Sequence, residues 1–186
     1  MRLLSLLSLR AARPAPRRLV ATGAVLHLHE GCRALPPMVQ ADGDDYGLPK
    51  GLVRPPSADA LWEWLEGTGR AARDPDPSWA DVWDSAKHLS NYVARRPEEV
   101  AGLSVVEIGC GLGVVGVAAA LAGAENVALV DREPEALHCA MSTAALNLVA
   151  VTAHVGDVDT VELPRADVVL ASDVLYDVAY GQTLAA

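Results

Sequence analysis

The sequence predicts an α/β fold, a Rossmann-like three-layer sandwich with a parallel sheet that is incomplete at the C-terminus. The main observation is that short, almost continuously apolar segments alternate with helical ones between residues 103 and 171. Strands that are apolar on both faces are typical of parallel sheets covered by helices on both sides. Hydrophobic residues make up 51% of the chain and Phe is absent, so Leu, Val, Ile and Ala must form the core.

The elements follow from periodicity and from residues that start and stop helices. Ser78 is a candidate N-cap for a helix with apolar positions at helical spacing, and Pro97 ends that helix. Beyond it the sequence predicts strands at 103–108, 126–130, 152–155 and 166–171, with helices at 113–122 and 133–147.

Composition divides the chain into three parts. Residues 1–35 are an Arg-rich leader, residues 36–77 are a Pro/Gly/Asp-rich linker with one short helix at 58–66, and residues 78–186 are the folded domain. The first thirty residues hold five arginines and one acid, so they carry +4 and the remainder of the chain carries −13. Such a basic start predicts a transit peptide and a mitochondrial or other organelle matrix location. A basic tail on a cytoplasmic protein is the alternative.

Charge and residue spacing argue against several classes of function. An acidic body repels phosphate backbones, so we expect no nucleic-acid partner and instead a basic, lysine-bearing protein surface. No apolar run reaches the length of a membrane span. The cysteines form no C-x-x-C pair, and we expect no metal site. The candidate metal ligands cluster in the leader, where no scaffold would hold them: His27, His29, Glu30 and Cys32.

A glycine-rich loop carries the clearest chemical signal. It reads E-I-G-C-G-L-G at residues 107–113, between a strand and a small-residue helix, and the next strand ends in Asp131. Glycines let a nucleotide cofactor approach the backbone, and a carboxylate at the following strand tip can bind ribose hydroxyls. The run from Gly111 to Gly116 also satisfies the dinucleotide pattern G-x-G-x-x-G. Glu107, the earlier glycine start and a polar motif after the fourth strand favour S-adenosylmethionine (SAM).

The ordered motifs resemble a known family. E-I-G-C-G-L-G, then V-D, then A-S-D-V-L-Y-D are similar to the class I, seven-strand SAM-dependent methyltransferases. Trp83, Leu89 and Tyr92 upstream, with D-V-L-Y at residues 173–176, resemble the protein-lysine methyltransferase branch of the family 16 type. The resemblance covers about residues 78–177. The resemblance implies the strand order 3-2-1-4, which makes the fourth strand an edge here. Three more strands follow in that family, so we expect this chain to be a truncated form with weak SAM binding and poor methyl transfer.

The resemblance implies that SAM lies at the carboxyl ends of the strands. The implied cofactor contacts are Trp83, Glu107, Gly109, Cys110, Gly111, Gly113, Asp131, Asp157 and Ser172. In the family the glycine loop lines the methionine and the ribose, with Glu107 near the methionine end, and Asp131 holds the ribose. Asp157 would lie near the adenine, Trp83 would close the pocket, and Ser172 would sit beneath the cofactor.

Asp173 and Tyr176 are the implied catalytic residues, because the family orients the incoming nucleophile at these positions. Three of the implied site residues could instead have structural roles. Asp131 could be a helix N-cap, and Trp83 and Tyr176 could be ordinary core aromatics. Cys110 is expected to be a small loop residue, not a nucleophile.

The leading hypothesis is an enzyme that uses SAM to methylate a protein lysine. The P-S-W-A-D-V-W and L-S-N-Y-V stretches are similar to mitochondrial members of the family that modify a flavoprotein subunit. A small-molecule N- or O-methyltransferase and an inactive SAM-binding module are the alternatives, and an NAD-dependent oxidoreductase is the most distant one. Oligomeric state is left open by the sequence.

Overall fold

The computed structural model describes residues 36–73, 76–157 and 160–174. The strands and α-helices, in chain order, are β1 (Val39–Ala41), β2 (Leu52–Arg54), α1 (Ala58–Gly67), α2 (Asp84–Arg95), β3 (Ser104–Ile108), α3 (Val114–Leu121), β4 (Asn126–Asp131), α4 (Pro134–Leu146), β5 (Thr152–Val155) and β6 (Val168–Ala171). Short 3₁₀ helices also occur at Asp44–Tyr46, Arg70–Arg73, Pro77–Ala80 and Pro97–Glu99.

The central sheet has four parallel strands in the order β5-β4-β3-β6. This is the order 3-2-1-4 predicted from the sequence, and the predicted strands and their α/β arrangement are confirmed. The connection from β3 through α3 leads to β4, which pairs with one side of β3. The later strand β6 pairs with the other side of β3. Connections that diverge in this way leave a crevice at the carboxyl ends of the strands, where ligands of such folds bind.

The two faces of the sheet are covered differently. Val105, Leu129 and Leu170 face the layer of α2, α3 and α4 in the larger buried cluster. Val106 and Val130 point to the opposite face, since side chains alternate along a strand. Partly buried residues from the chain segment before β6 cover that face: Val161, Leu163 and Ala166. The second helical layer of the expected sandwich is not among the described residues.

The segment before α2 contains more structure than the sequence analysis expected. The predicted helix at 58–66 is found as α1, but the antiparallel pair β1 and β2 was missed. This pair is attached to α4: the Val53 N–H donates to Thr143 Oγ1 at 3.0 Å and the Lys50 N–H donates to Asn147 Oδ1 at 3.1 Å. Leu52 is buried beside them. Residues 36–73 therefore contribute to the core, and the boundaries of the three proposed parts remain predictions.

The helix predicted to begin at Ser78 begins later. Asp76 caps a separate 3₁₀ turn at Pro77–Ala80, its Oδ1 accepting from the Ser78 N–H at 2.9 Å, and α2 starts at Asp84. The prediction of Ser78 as the N-cap is wrong, because burial of Trp79 in the turn outweighs the local capping signal.

The sequence predicts no membrane span and no metal site. Within the described residues, no helix is long and apolar enough to span a membrane. The Arg-rich leader, with His27, His29, Glu30 and Cys32, lies outside the described residues.

Candidate functional site

The glycine loop between β3 and α3 needs its glycines for conformation and for space. Gly109, Gly111 and Gly113 have φ angles of 62°, 51° and 72°, a left-handed region that residues with a Cβ rarely adopt. A Cβ on Gly109 would lie 2.6 Å from Val174 Cγ1, and one on Gly113 would lie 2.7 Å from the Ala140 Cβ. Gly113 thus serves the packing of α3 against α4, whereas Gly109 and Gly111 leave backbone exposed to a ligand.

Glu107 supports the loop from behind. Its side chain is 1% exposed, and Oε2 accepts from the Gly116 N–H at 2.7 Å. Gly113 is the N-cap of α3 and has no side chain to cap the free N–H groups of the first turn, so Glu107 caps the helix from the preceding strand. Burial raises the pKa of Glu107 to about 8, with a smaller contribution from the Asp131 charge, while the Gly116 bond opposes the rise.

Asp131 joins the tip of β4 to the glycine loop. Oδ2 accepts from the Gly111 N–H at 2.8 Å, and Oδ1 accepts from the Glu133 N–H at 2.9 Å, just before α4. Asp131 is 8% exposed, and burial raises its pKa against the lowering effect of these two bonds. A carboxylate oxygen can accept more than one hydrogen bond, so Asp131 can also receive hydroxyl donors from the cleft. Asp131 can therefore support the start of α4 and bind a ligand at the same time.

Two tryptophans form the N-terminal wall of the site. Trp79 is buried, and its carbonyl oxygen would lie 3.4 Å from a Cβ on Gly111. Trp83 is 54% exposed, and its indole N–H donates to the Ser78 carbonyl at 3.1 Å. Trp79 was not among the site residues predicted from the sequence. The signal was present in P-S-W-A-D-V-W, where Pro77 favours the start of a separate short turn that contains Trp79.

Asp173 follows the carboxyl end of β6 and has a left-handed backbone, with φ 54°. Its carboxylate accepts a hydrogen bond from the Ser85 hydroxyl, in the first turn of α2. Val174 is buried against Gly109, which holds this chain segment beside the glycine loop. Tyr176, the other predicted catalytic residue, lies outside the described residues.

A cleft at the carboxyl ends of the strands brings most of the predicted site together. Seven predicted residues line it: Trp83, Gly109, Cys110, Gly111, Asp131, Ser172 and Asp173. Glu107 and Gly113 lie behind the loop. Asp157 directly follows Gly156, which does line the cleft, and in the described structure its Oδ1 is buried without a hydrogen-bond partner.

The cleft also contains charged residues that the sequence analysis missed. Asp76, Arg132 and Glu133 line it beside Asp131. The guanidinium of Arg132 lies 3.7 Å from Asp76 Oδ2 and 3.6 Å from Glu133 Oε1. In contrast, Cys110 offers no nucleophile, because burial, followed by the charges of Asp131 and Glu107, raises its pKa well above the usual range. The arrangement can hold a polar ligand with hydroxyl groups and leaves the exposed Asp173 beside it.

Comparisons with known proteins agree with this geometry. The electron transfer flavoprotein beta subunit lysine methyltransferase of Danio rerio is 35% identical over 111 residues, 59% of this chain and 43% of that protein. Its Homo sapiens counterpart is 31% identical over 107 residues, 55% of this chain and 39% of that protein. The chain therefore spans less than half the length of these curated relatives.

Among solved structures, Trm5b from Pyrococcus abyssi gives a TM-score of 0.46 with 24% identity, covering 57% of this chain and 32% of that chain. The family model described as lysine methyltransferase matches residues 76–186, from the wall of the cleft onward. The match includes the glycine loop, Asp131 and the segment with Asp173, so the chain belongs to the lysine methyltransferase family.

Proposed function

We propose that this chain is the SAM-binding part of an enzyme that methylates a lysine side chain of a protein. The observation that carries the proposal is the cleft itself, where the glycine loop, Asp131 and Asp173 lie together. Family membership and the names of the relatives support a protein lysine as the acceptor. Because the chain covers less than half of those relatives, the activity is proposed for the protein to which it corresponds.

The residues of the cleft fit SAM at three points. Gly109 and Gly111 have left-handed backbones and line the cleft, so the methionine and ribose can approach the backbone of the loop closely. Asp131 supplies a buried carboxylate for the ribose hydroxyls. Among the described residues, Oδ1 of Asp157 is buried without a hydrogen-bond partner, and the amino group of adenine is a donor that would satisfy it.

When bound, SAM supplies an electrophilic methyl group on a positively charged sulfur. The protein needs no nucleophile of its own, because methyl transfer to an amine is a direct displacement that depends on alignment and on the exclusion of water. Asp173 orients the incoming amine with its carboxylate, and Trp83 at the mouth of the cleft limits access of water to the reacting atoms. A lysine amine attacks only in its neutral form, since the protonated amine has no free lone pair. The lysine must therefore lose its proton first, although the nearby carboxylate favours the protonated form.

The proposed substrate is the beta subunit of an electron transfer flavoprotein, as named for the Danio rerio and Homo sapiens relatives. The −13 net charge of the residues after the first thirty supports a partner with a lysine-rich surface. The Arg-rich start supports a mitochondrial or other organelle matrix location. A fluorescent fusion of the chain that stays in the cytosol would contradict that location.

Calorimetry with S-adenosylhomocysteine and with NAD tests the cofactor. Binding of S-adenosylhomocysteine is expected, and binding of NAD alone would overturn the proposal. Incubation of the protein to which the chain corresponds with methyl-labelled SAM and either the flavoprotein subunit or a cell extract then tests the acceptor. Label in a protein lysine supports the proposal, label confined to metabolites supports a small-molecule methyltransferase, and tight binding without transfer supports a binding module.

A further inference from the structure

A hydrogen bond beside the cleft joins two residues that are far apart in sequence. Ser85 is the second residue of α2, and its hydroxyl donates to Oδ2 of Asp173, 88 positions later. The N-cap of α2 is Trp83, whose side chain makes no capping bond. Asp173 thus brings a carboxylate to a helix start that lacks its own cap, where the helix dipole also favours negative charge.

The backbone and the carboxylate of Asp173 are held by different contacts. The φ of 54° is costly for a residue with a Cβ, although Asp tolerates it better than most, and Val174 packed against Gly109 holds this conformation. The side chain itself is exposed and would otherwise sample several rotamers. Ser85 is the contact that selects one orientation of the carboxylate.

We propose that Ser85 is a positioning residue, which holds the Asp173 carboxylate in the orientation that receives the amine of the acceptor. With Oδ2 engaged by Ser85, Oδ1 accepts from the incoming amine. Ser85 itself does not touch the amine, and its effect is transmitted through Asp173. This inference rests on the proposed function, because the amine is that of the lysine substrate.

Sinefungin provides a probe that does not depend on turnover. It is a SAM analogue in which an amine-bearing carbon replaces the sulfonium and its methyl group, so its amine lies in the region where methyl transfer occurs. S-adenosylhomocysteine shares the rest of the molecule and lacks that amine. The ratio of the two affinities, measured by calorimetry, therefore reports how well Asp173 receives an amine.

The expected results separate positioning from a purely structural role. Ser85→Ala lowers the preference for sinefungin over S-adenosylhomocysteine by about threefold to tenfold, as expected for loss of a hydrogen bond that orients a charged group. Ser85→Thr retains the hydroxyl and the preference, and Asp173→Asn abolishes the preference. Ser90→Ala is the matched control, since the Ser90 hydroxyl in the same helix donates to the Lys87 carbonyl at 3.1 Å. It leaves the ratio unchanged.

Other outcomes would refute the inference. An unchanged ratio in Ser85→Ala together with a lowered ratio in Asp173→Asn means that Asp173 needs no help from Ser85. An equal loss of affinity for both ligands in Ser85→Ala means that the serine is structural. If the unsubstituted chain binds neither ligand, the proposed function fails and this inference fails with it. Measuring the unsubstituted chain first therefore distinguishes that outcome from a failure of the inference alone.

Discussion

Replacing Glu107 with glutamine is expected to stabilise the protein near neutral pH. The carboxyl group is buried, and burial raises its pKa from the ordinary 4.5 to about 8. In the unfolded chain the same group ionises near its ordinary value, so folding near neutral pH requires uptake of a proton. Glutamine has nearly the same shape, keeps an oxygen that can accept from the Gly116 N–H, and takes up no proton.

The size of the effect follows from the two pKa values. A raised pKa contributes stability below the unfolded pKa, and that stability is lost as the pH rises toward the folded pKa. Between about pH 5.5 and pH 7.5 the Glu107 contribution therefore falls by about 2.5 kcal/mol, an average of about 1.25 kcal/mol per pH unit. The Glu107→Gln variant lacks this contribution.

Urea unfolding of both proteins across this pH range measures the effect. The difference in free energy of unfolding between variant and parent is expected to increase with pH by about 2.5 kcal/mol. Taking the difference removes the contributions of other acids with raised pKa values, such as Asp131 and Glu133. Parallel pH profiles for the two proteins would refute the reasoning that Glu107 is buried and protonated in the folded state.

Three other substitutions test the site and its scaffold. Gly109→Ala combines a left-handed backbone with a close approach to Val174, and it is expected to lower the free energy of unfolding by about 2–5 kcal/mol in urea titrations. Thr143→Val removes the acceptor of the Val53 N–H and is expected to cost about 1–3 kcal/mol by the same measurement. Asp131→Asn replaces one acceptor with a donor and is expected to weaken S-adenosylhomocysteine binding by at least about tenfold in calorimetry.

Each of these has a matched control elsewhere in the chain. Gly67→Ala adds a Cβ where no atom lies within 4 Å. Thr152→Val removes the hydroxyl of an exposed threonine, which donates to the Val127 carbonyl at 3.3 Å, so the change leaves no N–H group without its acceptor. Asp59→Asn removes an exposed carboxylate that does not line the cleft. If a control variant lost as much stability or affinity as its test variant, that result would contradict the role given to Gly109, Thr143 or Asp131.

Much of the sheet could be predicted because its signals are local. The apolar strands and small-residue helices have distinct periods, and turn or capping residues separate them. The helix predicted at 133–147 is found at Pro134–Leu146, with Glu133 as N-cap and Asn147 as C-cap. Asp131 could be placed beside the glycine loop because the carboxyl ends of neighbouring parallel strands meet at one edge.

Other features depend on contacts between distant parts of the chain. β1 and β2 are three residues each and weakly patterned, and their attachment to α4 through Thr143 and Asn147 spans about ninety positions or more. The start of α2 was missed because burial of Trp79 against the glycine loop decides where the turn forms. No local propensity contains that information.

The sequence by itself determined the positions of the strands, the cofactor loop and the family, since these depend on periodicity and on residue types at fixed spacing. Only the tertiary structure decided what the individual side chains do. It directs Glu107 into the start of α3, brings Trp79 to Gly111, and joins Ser85 to Asp173. The physical reason is that a side chain's role depends on which donors and acceptors lie within about 3 Å of it, and folding alone brings such groups together.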